Sequence, residues 1–207
     1  NAITGVGFQP DFVWIKDRGN VVSHVAFDSV RGTNGQLYPD LTNAEATGSI
    51  QTLDSFDADG FTLGSASAVN GNTYNFVAWC WKAGGAASSN TDGSITTSVS
   101  ANTTSGFSII SYTGTGASYP TPTIGHGLGS APKFYIIKNR DQTDGWAAFH
   151  EDMNANPWND RHLRLDTNAA VSGALNVSGA APTSSIIYLD SDPIVNASSE
   201  AYICYAW

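Results

Sequence analysis

Three aspartates, Asp54, Asp57 and Asp59, crowd the approach to Gly60, and carboxylate oxygens gathered in this way are the donors that a hard cation such as Ca²⁺ takes. The competing explanation is local, because Asp59-Gly60 is a dipeptide that tolerates the positive φ of a hairpin turn. A second cluster, His150-Glu151-Asp152 with His162, offers imidazole and carboxylate groups for a metal or a general base. It lacks the helix-borne spacing of a zinc protease, and a surface histidine is the favoured reading. Glu151 with Asp152 or Asp160 is the acid pair that a polysaccharide hydrolase would need. Hydrolysis by a serine nucleophile has no support, since there is no Gly-x-Ser-x-Gly elbow. The glycine-rich Gly125-His126-Gly127-Leu128-Gly129 is followed by no helix and is therefore not a dinucleotide fingerprint.

Aromatic residues supply a different chemistry. Trp158 stands in the polar run Asn156-Pro157-Trp158-Asn159-Asp160, where a ring flanked by amides and carboxylates can stack on a sugar. Tyr119, beside Pro120, is a second exposed-ring candidate, and for Trp158 loop packing or a subunit interface is favoured over glycan binding. Trp14, Trp79, Trp81, Trp146 and Trp207 fall in strand patterns and are expected in the core.

The elements that must position these residues are written twice. Pro10-Asp11-Phe12-Val13-Trp14-Ile15-Lys16-Asp17-Arg18 returns as Pro132-Lys133-Phe134-Tyr135-Ile136-Ile137-Lys138-Asn139-Arg140, and Val25-Ala26-Phe27 returns as Ala147-Ala148-Phe149. Farther on, Val69-Asn70 meets Val195-Asn196, and residues 76–81 meet residues 202–207. An internal repeat of this kind marks a modular architecture. Residues 74–81 separate by parity, with Val77, Trp79 and Trp81 on a bulky face and Ala78 and Cys80 on a small one, as a strand covered on both sides requires. Cys80 aligns with Ala206 and Cys204 with Ala78, so both cysteines are expected as free thiols on a packed face.

Only 13% of residues are charged and 11% are aromatic, and Gly, Ser, Thr and Asn are abundant, which is the profile of short strands joined by polar turns. The fold class expected is all-β, with two tandem related sandwich-like units. Residues 1–84 form the first and residues 106–207 the second, with a Gly/Ser/Thr-rich linker over 85–105. The second unit opens with a strand near Gly106–Gly116 that has no counterpart before Asn1, so the first unit is expected to keep an open edge. More chain upstream or a partner would then supply the missing strand. A net charge of −9 argues against nucleic acid, whose binding draws on clustered Lys and Arg. No run approaches the roughly 20 apolar residues of a membrane helix, so no membrane insertion is expected.

The phrases Gly7-Phe8-Gln9-Pro10-Asp11-Phe12-Val13-Trp14-Ile15-Lys16, Asp57-Ala58-Asp59-Gly60-Phe61-Thr62-Leu63-Gly64 and Phe76-Val77-Ala78-Trp79-Cys80-Trp81-Lys82 carry a resemblance to a known repeat domain. So do Ser111-Tyr112-Thr113-Gly114-Thr115-Gly116 and the run from Gly125 to Lys133. The chain resembles a repeat domain of unassigned function that is frequent in large virion proteins of tailed phages, especially marine ones. The resemblance implies a non-enzymatic structural protein of the virion, outside the cell: a tail fibre, an appendage or a surface decoration. It brings no catalytic motif and no cofactor. The partners it implies are other copies of the chain or adjoining virion proteins. The alternatives in view are a receptor- or glycan-binding module of a tail fibre, recognising a host-surface glycan through Trp158, Tyr119, Asn159 and Asp160, and a tail polysaccharide hydrolase.

Overall fold

The structure is a computed structural model that describes residues 1–48, 51–118, 120–153, 161–168, 172–173 and 180–207. In chain order the first elements are β1 (Ala2–Thr4), β2 (Phe12–Asp17), β3 (Val25–Asp28), β4 (Gly32–Leu37), β5 (Ala46–Thr47), β6 (Leu53–Asp57), β7 (Gly60–Leu63), α1 (Ser67–Asn70) and β8 (Phe76–Trp81). They are followed by β9 (Ser88–Asn90), β10 (Thr97–Asn102), β11 (Phe107–Thr113), β12 (Thr123–Gly125), β13 (Phe134–Asn139) and β14 (Trp146–His150). Last come β15 (Arg161–Arg164), β16 (Ser172–Gly173), β17 (Ile186–Tyr188), α2 (Pro193–Asn196) and β18 (Ala201–Ala206).

The repeated phrases lie on strands that pair in the same way. One large sheet runs β5-β4-β3-β2-β8 and the other runs β16-β15-β14-β13-β18-β11-β10-β9. Ile15 of β2 stands opposite Ala78 of β8, and its sequence counterpart Ile137 of β13 stands opposite Cys204 of β18. Each large sheet is faced by a small one, β1-β7-β6 against the first and β12-β17 against the second. The hairpin read at Asp59-Gly60 joins β6 to β7. Gly60 has φ +152°, and a Cβ there would meet the Ile3 carbonyl oxygen at 1.9 Å, so β1 can approach only a glycine.

Alternation decides which side chains fill which layer. Val13 and Ile15 of β2 pack with Phe61 and Leu63 of β7 and Val69 of α1. Ile110, Tyr112 and Cys204 pack with Ile124, Ile187 and Val195 in the second half. The opposite faces of the two large sheets meet each other, burying Phe12, Ala26 and Leu37 against Phe107, Ile109, Trp146 and Tyr205. The Phe12 and Tyr205 rings stack with centroids 4.2 Å apart. The fold is all-β and sandwich-like.

The halves of the chain therefore bury an apolar layer in common, which the two-unit reading did not include. The polar segment 85–105, expected as a linker, contains β9 and β10, which extend the eight-stranded sheet beyond β11. Its hydroxyl residues follow the strand period: Thr97 and Val99 are buried while Ser98 is exposed. Cys80 and Cys204 are both free, as expected, and burial pushes both thiol pKa values up. Among the described residues no helix is long and apolar enough to cross a membrane.

Candidate functional site

The two large sheets differ most at one place. β18 is flanked by β13 on one side and β11 on the other, and residues 202–206 are all buried. β8, which holds the matching position beside β2, ends its sheet, and among the described residues no strand pairs with its other side. Ala78 and Trp79 are exposed as a result, Trp79 to 44%, whereas their counterparts Cys204 and Tyr205 are wholly covered. The expectation that Trp79 is core thus fails for want of a neighbouring strand. Trp14, on β2, still meets the Trp79 ring edge-on at 6.3 Å.

The direction of the unused main-chain groups follows from the ladder. Arg18 N–H donates to the Asn75 carbonyl at 2.7 Å, and in an antiparallel pair the bonded positions alternate. Residues 77, 79 and 81 therefore face β2, and the N–H and C=O groups of Phe76, Ala78 and Cys80 face outward. In the second half the same alternation, starting from Arg140 N–H to the Ala201 carbonyl at 2.8 Å, turns Tyr202, Cys204 and Ala206 toward β11. An unpaired strand edge of this kind is a template for another strand.

The residues that sequence reasoning singled out for chemistry are otherwise engaged or lie elsewhere. Among the described residues no group of three or more His, Cys, Asp or Glu is arranged to hold a metal. Asp54, Asp57 and Asp59 therefore do not converge into the calcium site that their spacing suggested. Asp57 accepts hydrogen bonds from Thr62 and Ser55 hydroxyls, both at 2.7 Å, and these hold its pKa below the usual carboxylate value. Asp59 accepts from the Gly7 and Gly5 amides at 2.6 and 3.0 Å, with the same effect, so it anchors the segment after β1. Glu151 is paired with Lys133 at 2.6 and 2.8 Å, and His150 accepts the Asp152 amide. His162 is buried near Phe149. Tyr119, Trp158, Asn159 and Asp160 lie outside the described residues.

Residues 1–207 match the family described as Domain of unknown function (DUF7483). The chain belongs to this family. No curated protein and no solved structure matches it. In this DUF7483 chain sequence reasoning missed one buried polar assembly among the described residues. Arg31 has no exposed side-chain surface and donates to Asp28, to Glu45 at 2.6 Å and to the Gly35 carbonyl at 2.8 Å. Burial alone would lower its pKa, but Asp28, Tyr205 and Glu45 outweigh that and hold it above the ordinary value. Glu45 also pairs with Arg140 at 2.6 Å, and the Tyr205 hydroxyl donates to Asp28 at 2.6 Å, so the cluster ties the halves together. The only local signal was the Asp28 to Arg31 spacing, since Glu45 and Arg140 are 95 positions apart.

Proposed function

We propose that the chain is a non-enzymatic structural component of a tailed-phage virion, located outside the host cell in a tail fibre, an appendage or a surface decoration. It acts by assembly, with other copies of itself or adjoining virion proteins as partners. The observation that carries this reading is the unfinished edge of β8, where apolar side chains and outward main-chain groups are left for a neighbour. Folded proteins normally cover, shorten or charge such an edge, and Phe76–Trp81 contains no charged residue. The resemblance of its repeated phrases to virion repeat domains points the same way. So does a charged fraction of 13%, which suits a surface of hydroxyls and amides that binds few partners indiscriminately.

The test is the composition of the particle. Virions of the phage that encodes the chain, purified by density gradient, are digested and analysed by mass spectrometry, and labelled with a gold-tagged antibody. The proposal expects the chain at a fixed copy number per particle, with label on an appendage. Its presence in the lysate but not in particles would refute it.

A further inference from the structure

Beneath the free edge of β8 lies a cavity of about 270 Å³. Its apolar walls include Ile15 of β2, Phe76 and Ala78 of β8, Phe61 and Leu63 of β7, and Val69 of α1. That volume is under the roughly 300–1,000 Å³ of sites that enclose drug-sized ligands. It is the size of a gap left by side chains.

The second half shows which side chains. Counterparts of the cavity walls are present there: Ile137 for Ile15, Tyr202 for Phe76, Cys204 for Ala78, Ile187 for Phe61, Leu189 for Leu63 and Val195 for Val69. All are buried in one cluster, which also holds Ile110 and Tyr112 of β11. Ile110 stands opposite Cys204 and Tyr112 opposite Tyr202, and the two tyrosine rings stack with centroids 5.1 Å apart. The Tyr112 hydroxyl reaches through the layer to donate to the Val195 carbonyl at 2.7 Å. Transposed by register, Ile110 would lie over Ala78 and Tyr112 over Phe76. Those are the two β8 residues that border the cavity.

We propose that the free edge of β8 and the cavity under it form a docking site for one extended strand from outside residues 1–207. The strand adds antiparallel to β8, takes up the outward groups of Phe76, Ala78 and Cys80, and presents an aliphatic residue and, two positions on, an aromatic one to the cavity. This is strand addition to a sheet edge, in which main-chain bonds give affinity and alternate side-chain pockets give specificity. A second copy of the chain is a poor donor. Its own strand of this pattern, β11, is held between β18 and β10. Of its longer free edges, β8 would offer only Phe76, Ala78 and Cys80 at the outward positions and β6 reads Leu-Asp-Ser-Phe-Asp, neither an aliphatic residue followed two positions on by an aromatic one, and β5, β9 and β16 are two or three residues long. The inference rests on the internal register and holds whatever particle the chain belongs to.

The probe is a synthetic peptide with the sequence of residues 106–115, Gly-Phe-Ser-Ile-Ile-Ser-Tyr-Thr-Gly-Thr, carrying a fluorophore on a lysine tail. It is titrated with the 207-residue chain, and binding is read by anisotropy. Saturable binding is expected, weakened at least tenfold when the peptide tyrosine is changed to glycine, a factor that corresponds to about 1.4 kcal/mol. Ala78→Pro in the protein is expected to abolish binding while leaving the fold intact, because it removes an outward N–H from an edge strand and no bond to β2. The peptide variant tests the cavity without altering the protein, so the proposal stays exposed if Ala78→Pro fails to fold. Absence of saturable binding would overturn it, as would equal binding of the tyrosine and glycine peptides. Equally damaging would be a dimer of the bare chain in which β8 is protected and the peptide cannot compete, since a second copy would then be the occupant.

Discussion

Replacing Arg31 with methionine should be the most destabilising single charge deletion in the described structure. Arg31 and Asp28 side chains are both fully buried, and Glu45 beside them is nearly so. Methionine retains much of the volume but leaves the Asp28 carboxylate with only neutral donors: the Tyr205 hydroxyl at 2.6 Å and the Val30 and Arg31 amides at 3.0 and 2.9 Å. Glu45 retains Arg140, whose side chain is partly exposed. Removing one partner of a buried ion pair costs about 3–5 kcal/mol, because the other charge stays desolvated. With about 2–4 °C per kcal/mol for a chain of this size, Tm should fall by roughly 6–20 °C. Urea unfolding followed by tryptophan fluorescence and far-ultraviolet circular dichroism measures the loss directly. Adding Asp28→Asn to Arg31→Met should recover part of it, since the orphaned charge is then removed. A loss under about 1 kcal/mol, the range of exposed pairs, would refute the reasoning, as would a double variant no better than the single.

Other consequences follow from the same structure. Both halves should unfold in one transition, since Glu45 links Arg31 to Arg140 and Phe12 stacks on Tyr205; two separated transitions by calorimetry would contradict the shared layer. Trp79→Ser should cost only about 0.5–1.5 kcal/mol, the worth of its ring contact with Trp14, whereas Tyr205→Ser, at the matching but buried position, should cost about 3–5 kcal/mol as large core truncations do. His126 is buried and accepts the Leu128 amide at Nδ1, so Nε2–H donates to the Thr183 carbonyl and the ring is neutral. Burial lowers its pKa, so its share of stability is present above the unfolded value of 6.5 and is lost as pH falls through the lower folded value. His126→Gln should flatten that acid limb in a plot of urea midpoint against pH. Calcium or a chelator should leave Tm unchanged, because Asp57 and Asp59 are taken up by hydroxyls and amides; a calcium-dependent rise would restore the metal reading.

Much of the fold was legible because the repeated phrases are strands with two apolar faces. The parity of residues 76–81 foretold that Trp81 and Cys80 pack in different layers, and the want of a strand matching β11 within residues 1–84 foretold a bare sheet edge. Serines and threonines concealed β9 and β10, since Thr97 and Ser100 are buried through hydrogen bonds to the Gly125 and Gly85 carbonyls rather than through apolar character. The layer between the large sheets was illegible for a different reason. A strand apolar on both faces does not say what covers either face, and Phe12 and Tyr205 are far apart in sequence. An acidic cluster at a hairpin looks alike in sequence whether its carboxylates bind a cation or accept amide and hydroxyl protons, as Asp57 and Asp59 do.

Amide hydrogen exchange over residues 75–82, compared between the free chain and the assembled particle, tests the unfinished edge most directly. In the free chain the outward amides of Phe76, Ala78 and Cys80 should exchange rapidly while those of Tyr202, Cys204 and Ala206 stay protected, and in the particle both sets should be slow. Rapid exchange of β8 that persists within the particle would contradict the account.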